Sequence, residues 1–188
     1  GIDGLRRAYA RGGWIELVSE GEAVPYQRSV PGVAGFARPR IEMQGVALQH
    51  AGIGYGVKAN VLSVARAYAG LATGRLPTLG LLWTAGRPTV DLAIPAADLA
   101  LVHDGLRRCV IQGTAREVEG LAGFGVHGKT GTAEVNERDQ NNAWFAGFVL
   151  ASSGRPTLAF AAVAYTVDEH GKESAQMIAD FLRGLTTH

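Results

Sequence analysis

The segment Gly128-Lys129-Thr130-Gly131-Thr132-Ala133-Glu134 gathers one ammonium, two hydroxyls and two glycines in consecutive positions. Two kinds of chemistry use such a set. With Gly123 upstream, residues 123–130 satisfy the phosphate-loop string G-x-x-x-x-G-K-T. A phosphate cradle needs a strand before the loop and a helix after it, so that amides and the positive helix end converge on the anion. Glu117 to Gly120 is too polar for a buried strand, and no amphipathic pattern follows Gly131. The run Phe160 to Asp168 ends in an acid, as a magnesium-binding strand would. Only the polar segment Asn136 to Asn142 and one strand precede it, and a doubly wound nucleotide fold requires a crossover helix there. Nucleotide binding is therefore the weaker reading.

The second reading places the segment on a strand at the edge of an acyl-transfer site. The Lys129 ammonium beside the Thr130 and Thr132 hydroxyls can hold a peptide's terminal carboxylate. Gly131 permits close backbone approach, which leaves the Thr132 N–H free to point at a developing oxyanion. Strand alternation puts Lys129 and Thr130 on opposite faces, so both serve one cleft only on a twisted strand or at the cleft's rim. Glu134 is expected to face water. Trp144, Phe145 and Phe148 fit a core better than a cleft lining, because alternating aromatic strand residues are usually buried.

The elements that must hold this segment can be read from hydrophobic periods and turn residues. Leu5 and Tyr9 mark a short helix over Ile2 to Arg11, closed by Gly12-Gly13, and the prolines and glycines from Trp14 to Tyr55 imply an extended region. Asn60 can cap a helix whose stripe Val61, Ala65, Tyr68 and Ala72 is expected to be buried, with Gly74 as its stop. Pro95 suits the first position of a second helix. Leu99, Val102, Leu106, Cys109 and Val110 form its stripe, it ends at Gly113, and it should pack on a sheet. Strands are expected at Gly125 to Val135, Ala143 to Leu150 and Thr157 to Val167. They are separated by the connector Asn136 to Asn142 and the tight loop Ser152 to Pro156, which favours antiparallel pairing of consecutive strands. Lys172 to Leu185 should close the domain as a helix with Ala175, Ile178, Leu182 and Leu185 along one side.

The 188 residues suit one domain with a packed core. With 47% hydrophobic and 19% charged residues and a net charge of +1, the chain is neither a disordered acidic tail nor a basic nucleic-acid binder, and no nucleic-acid partner is expected. The single cysteine, Cys109, excludes an intrachain disulfide, and the five scattered histidines make no metal-ligand spacing. No apolar run approaches the roughly 18 to 20 residues of a membrane span. Because Gly1 opens a segment that reads as mid-domain sequence, further polypeptide is expected upstream.

Lys129-Thr130-Gly131 resembles the third motif of the penicillin-binding, serine-acylating transpeptidases, and other blocks agree in order. Gly54-Tyr55-Gly56 and Leu62 to Ala72 are similar to that family's glycine-rich turn and helix. Gly105 to Val110 with Gly113-Thr114-Ala115 resembles the next helix and its end. Asn142-Ala143-Trp144-Phe145-Ala146-Gly147-Phe148 resembles the strand after the motif, and Gly1 to Val24 fits the stretch after the second motif. The family's nucleophile motif, Ser-x-x-Lys, and its second motif, Ser-x-Asn, are not found in this sequence. Three residues before Lys58, Lys129 and Lys172 stand Tyr55, Val126 and Glu169. Ser63-Val64-Ala65-Arg66 has the spacing, but arginine stays protonated and cannot serve as the base, so Ser63 and Arg66 are expected to be a surface pair.

The resemblance implies an α+β fold, an antiparallel sheet covered by helices of the β-lactamase and transpeptidase type, with residues 1–188 as the C-terminal part of the domain and its N-terminal part missing. It implies a peptidoglycan D,D-transpeptidase that cross-links stem peptides ending in D-Ala-D-Ala through an acyl-serine and is acylated by β-lactams. Lys129, Thr130, Gly131 and Thr132 would bind substrate, with Lys129 and the Thr132 amide also in catalytic roles. No metal or organic cofactor is implied. The expected location is the extracytoplasmic face of the cytoplasmic membrane, and the 188 residues alone should be inactive. The alternative of another class is a non-catalytic transpeptidase-like scaffold or peptide-binding module.

Overall fold

The computed structural model describes residues 59, 61–78, 88–135, 140–166 and 171–186. The expected helix at Ile2 to Arg11, the extended region to Tyr55, the turn Gly54 to Gly56 and the Asn60 cap lie outside them.

Helix α1, Val61–Thr73, is followed by strand β1, Arg75–Pro77, and strand β2, Thr89–Asp91, which pair antiparallel with Leu76 opposite Val90. Gly74 takes φ +72°, a left-handed geometry that ends α1 where the sequence placed its stop. Of the expected stripe only Ala72 is buried. Ser63, Val64, Ala67, Gly70 and Ala72 are buried, whereas Val61 is exposed and Ala65 and Tyr68 are half-buried. Small residues carry little hydrophobic weight in a periodic pattern, yet they are what lets this helix sit close. A Cβ on Gly70 would come within 3.0 Å of Leu92 and 3.2 Å of Leu76, so the two-stranded ribbon packs directly on the helix backbone. Nor are Ser63 and Arg66 a surface pair. Ser63 is buried, and Arg66 Nε donates to the Pro77 carbonyl at 2.7 Å, tying the helix to β1.

Helix α2, Ala96–Ile111, starts one residue later than expected, with Pro95 at the cap position rather than the first helical one. Of its expected stripe, Leu106, Cys109 and Val110 are buried, Leu99 is half-buried and Val102 is exposed. Only the C-terminal half of α2 faces the core.

Strands β3, Val126–Val135, β4, Gln140–Leu150, and β5, Pro156–Thr166, form an antiparallel sheet in the order β3-β4-β5, as the turn chemistry implied. Residues 140–142, read as part of a polar connector, belong to β4, where Asn141 pairs with Glu134 and Asn142 with Ala133. Cross-strand pairing extends a strand past the point where its hydrophobicity ends. The central strand is buried on both faces, which is why Ala143 to Leu150 runs apolar without alternation.

One face packs Phe145, Phe160 and Ala162 against Ala175, Ile178, Ala179 and Leu182 of helix α3, Lys172–Thr186, together with Cys109, Val110 and Leu121. The other packs Phe148 and Ala159 against Tyr68, Leu71 and Ala72 of α1 and Leu106 of α2. Leu185, expected on the buried side of α3, is 56% exposed, and the buried face of that helix ends at Leu182. Phe145 and Phe148 are both fully buried core residues, on opposite faces.

Candidate functional site

Among the described residues β4 is the strand neighbour of β3, and the other edge of β3 faces α2. In an antiparallel ladder alternate residues turn their N–H and C=O groups toward or away from the partner strand. Here the phase follows from several contacts. The Leu150 amide donates across the ladder to the Gly125 carbonyl at 3.1 Å. The Val126 carbonyl instead accepts from Arg107 Nη1 of α2 at 3.1 Å, and the Thr130 carbonyl accepts from Lys129 Nζ at 2.8 Å. The Thr130 amide faces the Cys109 thiol. Even-numbered positions of β3 thus aim their backbone groups at the open edge, and the same period directs the Thr132 amide there.

Side chains alternate as the sequence implied, with Thr130 buried at 8% exposure and Lys129 exposed. The lysine nevertheless folds around the strand margin. Its Nζ lies 3.5 Å from Thr130 Oγ1 as well as on the Thr130 carbonyl, so ammonium and hydroxyl meet at one rim from opposite faces. Thr132 is exposed and Gly131 half-buried, paired with Trp144 on β4. The structure brings Lys129 and Thr130 together and leaves the Thr132 side chain in solvent. Glu134 lies in β3, and its side chain is outside the described residues.

Two further residues adjoin the motif that sequence reasoning did not single out as functional. Thr114, in the turn after α2, hydrogen-bonds through Oγ1 to Thr130 Oγ1, and Cys109 Sγ lies 3.3 Å from Thr114 Oγ1. Burial alone would raise the Cys109 thiol pKa. The Thr114 hydroxyl, the Thr130 and Ala115 amides and the Lys129 charge outweigh it and hold the thiol below its usual range. A threonine after Gly113 and a cysteine at an apolar helix position carry no sequence signal of this kind.

On the face shared with Lys129, His127 stacks on Phe148 at 5.2 Å between ring centroids and 11° between planes. His103 of α2 approaches both rings and reaches the Leu71 carbonyl through Nε2 at 2.8 Å. These contacts clamp the start of β3 between α2 and the core, two residues before Lys129.

The phosphate-loop reading has no structural counterpart. Gly128 to Thr132 sit inside a ten-residue strand in register with β4, and the next described element is another strand. A backbone held extended by strand pairing cannot curl its amides around a phosphate.

Among the described residues, a three-stranded antiparallel sheet lies between helices with a Lys-Thr-Gly sequence on its outer strand, in keeping with the helix-covered antiparallel fold that the motifs implied. A family profile described as the penicillin binding protein transpeptidase domain matches residues 34–183, and the chain belongs to that family. Among solved structures, penicillin-binding protein PBP2 from Helicobacter pylori has a similar fold, with a TM-score of 0.63 and 22% sequence identity. The match covers 76% of this chain and 27% of that one, so the sequence spans about a quarter of the length of the protein it resembles. No curated protein matches.

Proposed function

We propose that these residues are the C-terminal part of a peptidoglycan D,D-transpeptidase acting at the extracytoplasmic face of the cytoplasmic membrane. The observation that carries the reading is the meeting of the Lys129 ammonium and Thr130 hydroxyl at the rim of an edge strand whose next outward amide is that of Thr132.

In this reading an anionic peptide terminus, or the carboxylate of a β-lactam, docks against Lys129 and Thr130. Glycine at 131 lets the acyl group lie close to the strand. The carbonyl under attack then points its oxygen at the Thr132 amide, a donor fixed before reaction and therefore needing no reorganisation as negative charge develops. A serine from a Ser-x-x-Lys motif lying outside these 188 residues attacks that carbonyl. The terminal D-Ala leaves with a proton, and an amine from a second stem peptide takes the acyl group from the serine. Lys129 Nζ donates to the Thr130 carbonyl at 2.8 Å, which holds it at the rim where the carboxylate docks.

The test is covalent labelling of the full-length parent by a fluorescent penicillin. The folded parent is expected to be labelled at one serine, and Lys129→Ala to slow acylation at least ~100-fold, in the range of losing a fixed electrostatic donor. The 188 residues alone should remain unlabelled. A folded parent that takes no label refutes the transpeptidase reading and leaves the non-catalytic scaffold.

A further inference from the structure

We propose that Thr114 is a positioning residue that orients the Thr130 hydroxyl so that its proton points outward to a bound carboxylate; this rests on the transpeptidase reading above and extends it beyond the Lys-Thr-Gly motif. Thr114 belongs to the turn after α2 and shares no strand with the motif. Its Oγ1 nevertheless bridges Cys109 Sγ and Thr130 Oγ1, making a chain of three groups that each carry one proton. Lys129, at the far end, can only donate.

The Thr114 hydroxyl has one proton and two lone pairs, which leaves three orders. In one, the Cys109 thiol donates to Thr114, Thr114 donates to Thr130, and the Thr130 proton is free for an acceptor outside the chain. In the other two, Thr130 donates to Thr114, which either donates on to Cys109 or accepts from it as well. Thr130 then spends its proton on Thr114 and turns only lone pairs outward, which a carboxylate would meet with repulsion. A carboxylate beside the Lys129 ammonium selects the first order, and Thr114 sustains it by donating to Thr130 from behind. The site is thereby matched to an acceptor-only anion. Thr130 has little freedom to find another arrangement. It is buried, and a Cβ on Gly171 would lie 3.0 Å from its own Cβ.

The experiment uses the full-length parent and two probes, benzylpenicillin and its methyl ester, which share the reactive ring and differ in the carboxylate. The parent should be acylated faster by the acid. Thr114→Val, close in shape but without the hydroxyl, should cut the acid-to-ester ratio of acylation rates about fivefold, the size of the lost hydrogen bond between the Thr114 and Thr130 hydroxyls. The ester rate should stay within about twofold, and it doubles as the check that the variant is folded. Thr114→Ser, which keeps the hydroxyl, should restore the ratio. An unchanged ratio in Thr114→Val, or equal slowing of both probes, overturns the proposal and leaves Thr114 with at most a structural part. A parent acylated equally by acid and ester overturns it while the transpeptidase reading stands. A folded parent acylated by neither removes both.

Discussion

His127 shows what a neighbouring strand position contributes to the Lys-Thr-Gly segment. Burial against Phe148 does most to lower its pKa. The Gly125 carbonyl on Nδ1, at 3.0 Å, pulls the other way, and the charge of Arg107 and the neighbouring His103 lower it further. The folded protein therefore holds this imidazole neutral to a lower pH than the unfolded chain, whose histidine titrates near about 6.5. Its contribution to stability is fully present above about 6.5 and is lost as the pH falls from there through the lower folded value. Urea unfolding between neutral and mildly acidic pH should show this decline, and His127→Phe, which keeps a ring on Phe148, should flatten it. A slope unchanged by the substitution would assign the decline to other groups. The opposite facing of Lys129 and Thr130 was legible in the sequence because strand period suffices for it. Thr114 and Cys109 were not, because their nearness to Thr130 is produced by packing of residues 16 and 21 positions away.

Strand pairing and helix phase are decided by closeness of approach. Gly128 faces Gly147 across β3 and β4. A Cβ on Gly147 would collide with the His127 carbonyl and come within 2.7 Å of Gly128 Cα, so nothing larger than hydrogen fits there. Gly147→Ala should separate the strands just ahead of Lys129 and cost about 3 kcal/mol or more, since ladder bonds and packing are lost together. Chemical denaturation of the parent and variant measures this, and penicillin labelling should fall with it. Helix α3 offers a contrast in phase. Leu182 is buried at 5% exposure and Leu185 lies outside at 56%. Leu182→Ala should destabilise by roughly 2–5 kcal/mol, whereas Leu185→Ala should stay within about 0.5 kcal/mol. Equal effects would mean that the helix packs in a different rotation. The existence of all three helices and of the three long strands followed from period and punctuation. The facing of α1 did not, because alanine, glycine and serine give no preference until a partner surface is present.

At the level of the molecule, one sheet is shared by two hydrophobic clusters, Phe145 with α3 beneath and Phe148 with α1 and α2 above. The clusters have no members in common, so Leu106→Ala and Leu182→Ala should be additive to within about 0.5 kcal/mol in a double-mutant cycle. A larger coupling would show that the sheet transmits strain between its faces. This arrangement covers β3 at its start, Val126 to Gly128, while its edge carries the outward backbone groups. A sheet margin is a fixed row of donors and acceptors, and a helix along only part of it leaves the remainder for a ligand.

Periodicity and turn residues were enough for the antiparallel pairing and for the strand that carries Lys129, Thr130, Gly131 and Thr132, and the order of motifs was enough for the fold class. These are local properties, since side-chain type and backbone preference act over one or two turns of chain. How an ammonium and a hydroxyl on opposite faces of a strand reach one rim is a property of β3 being an edge, and the Cys109–Thr114–Thr130 chain is a property of where α2 ends against it. Both depend on contacts between segments far apart in sequence, and such distances are set by packing of the whole core.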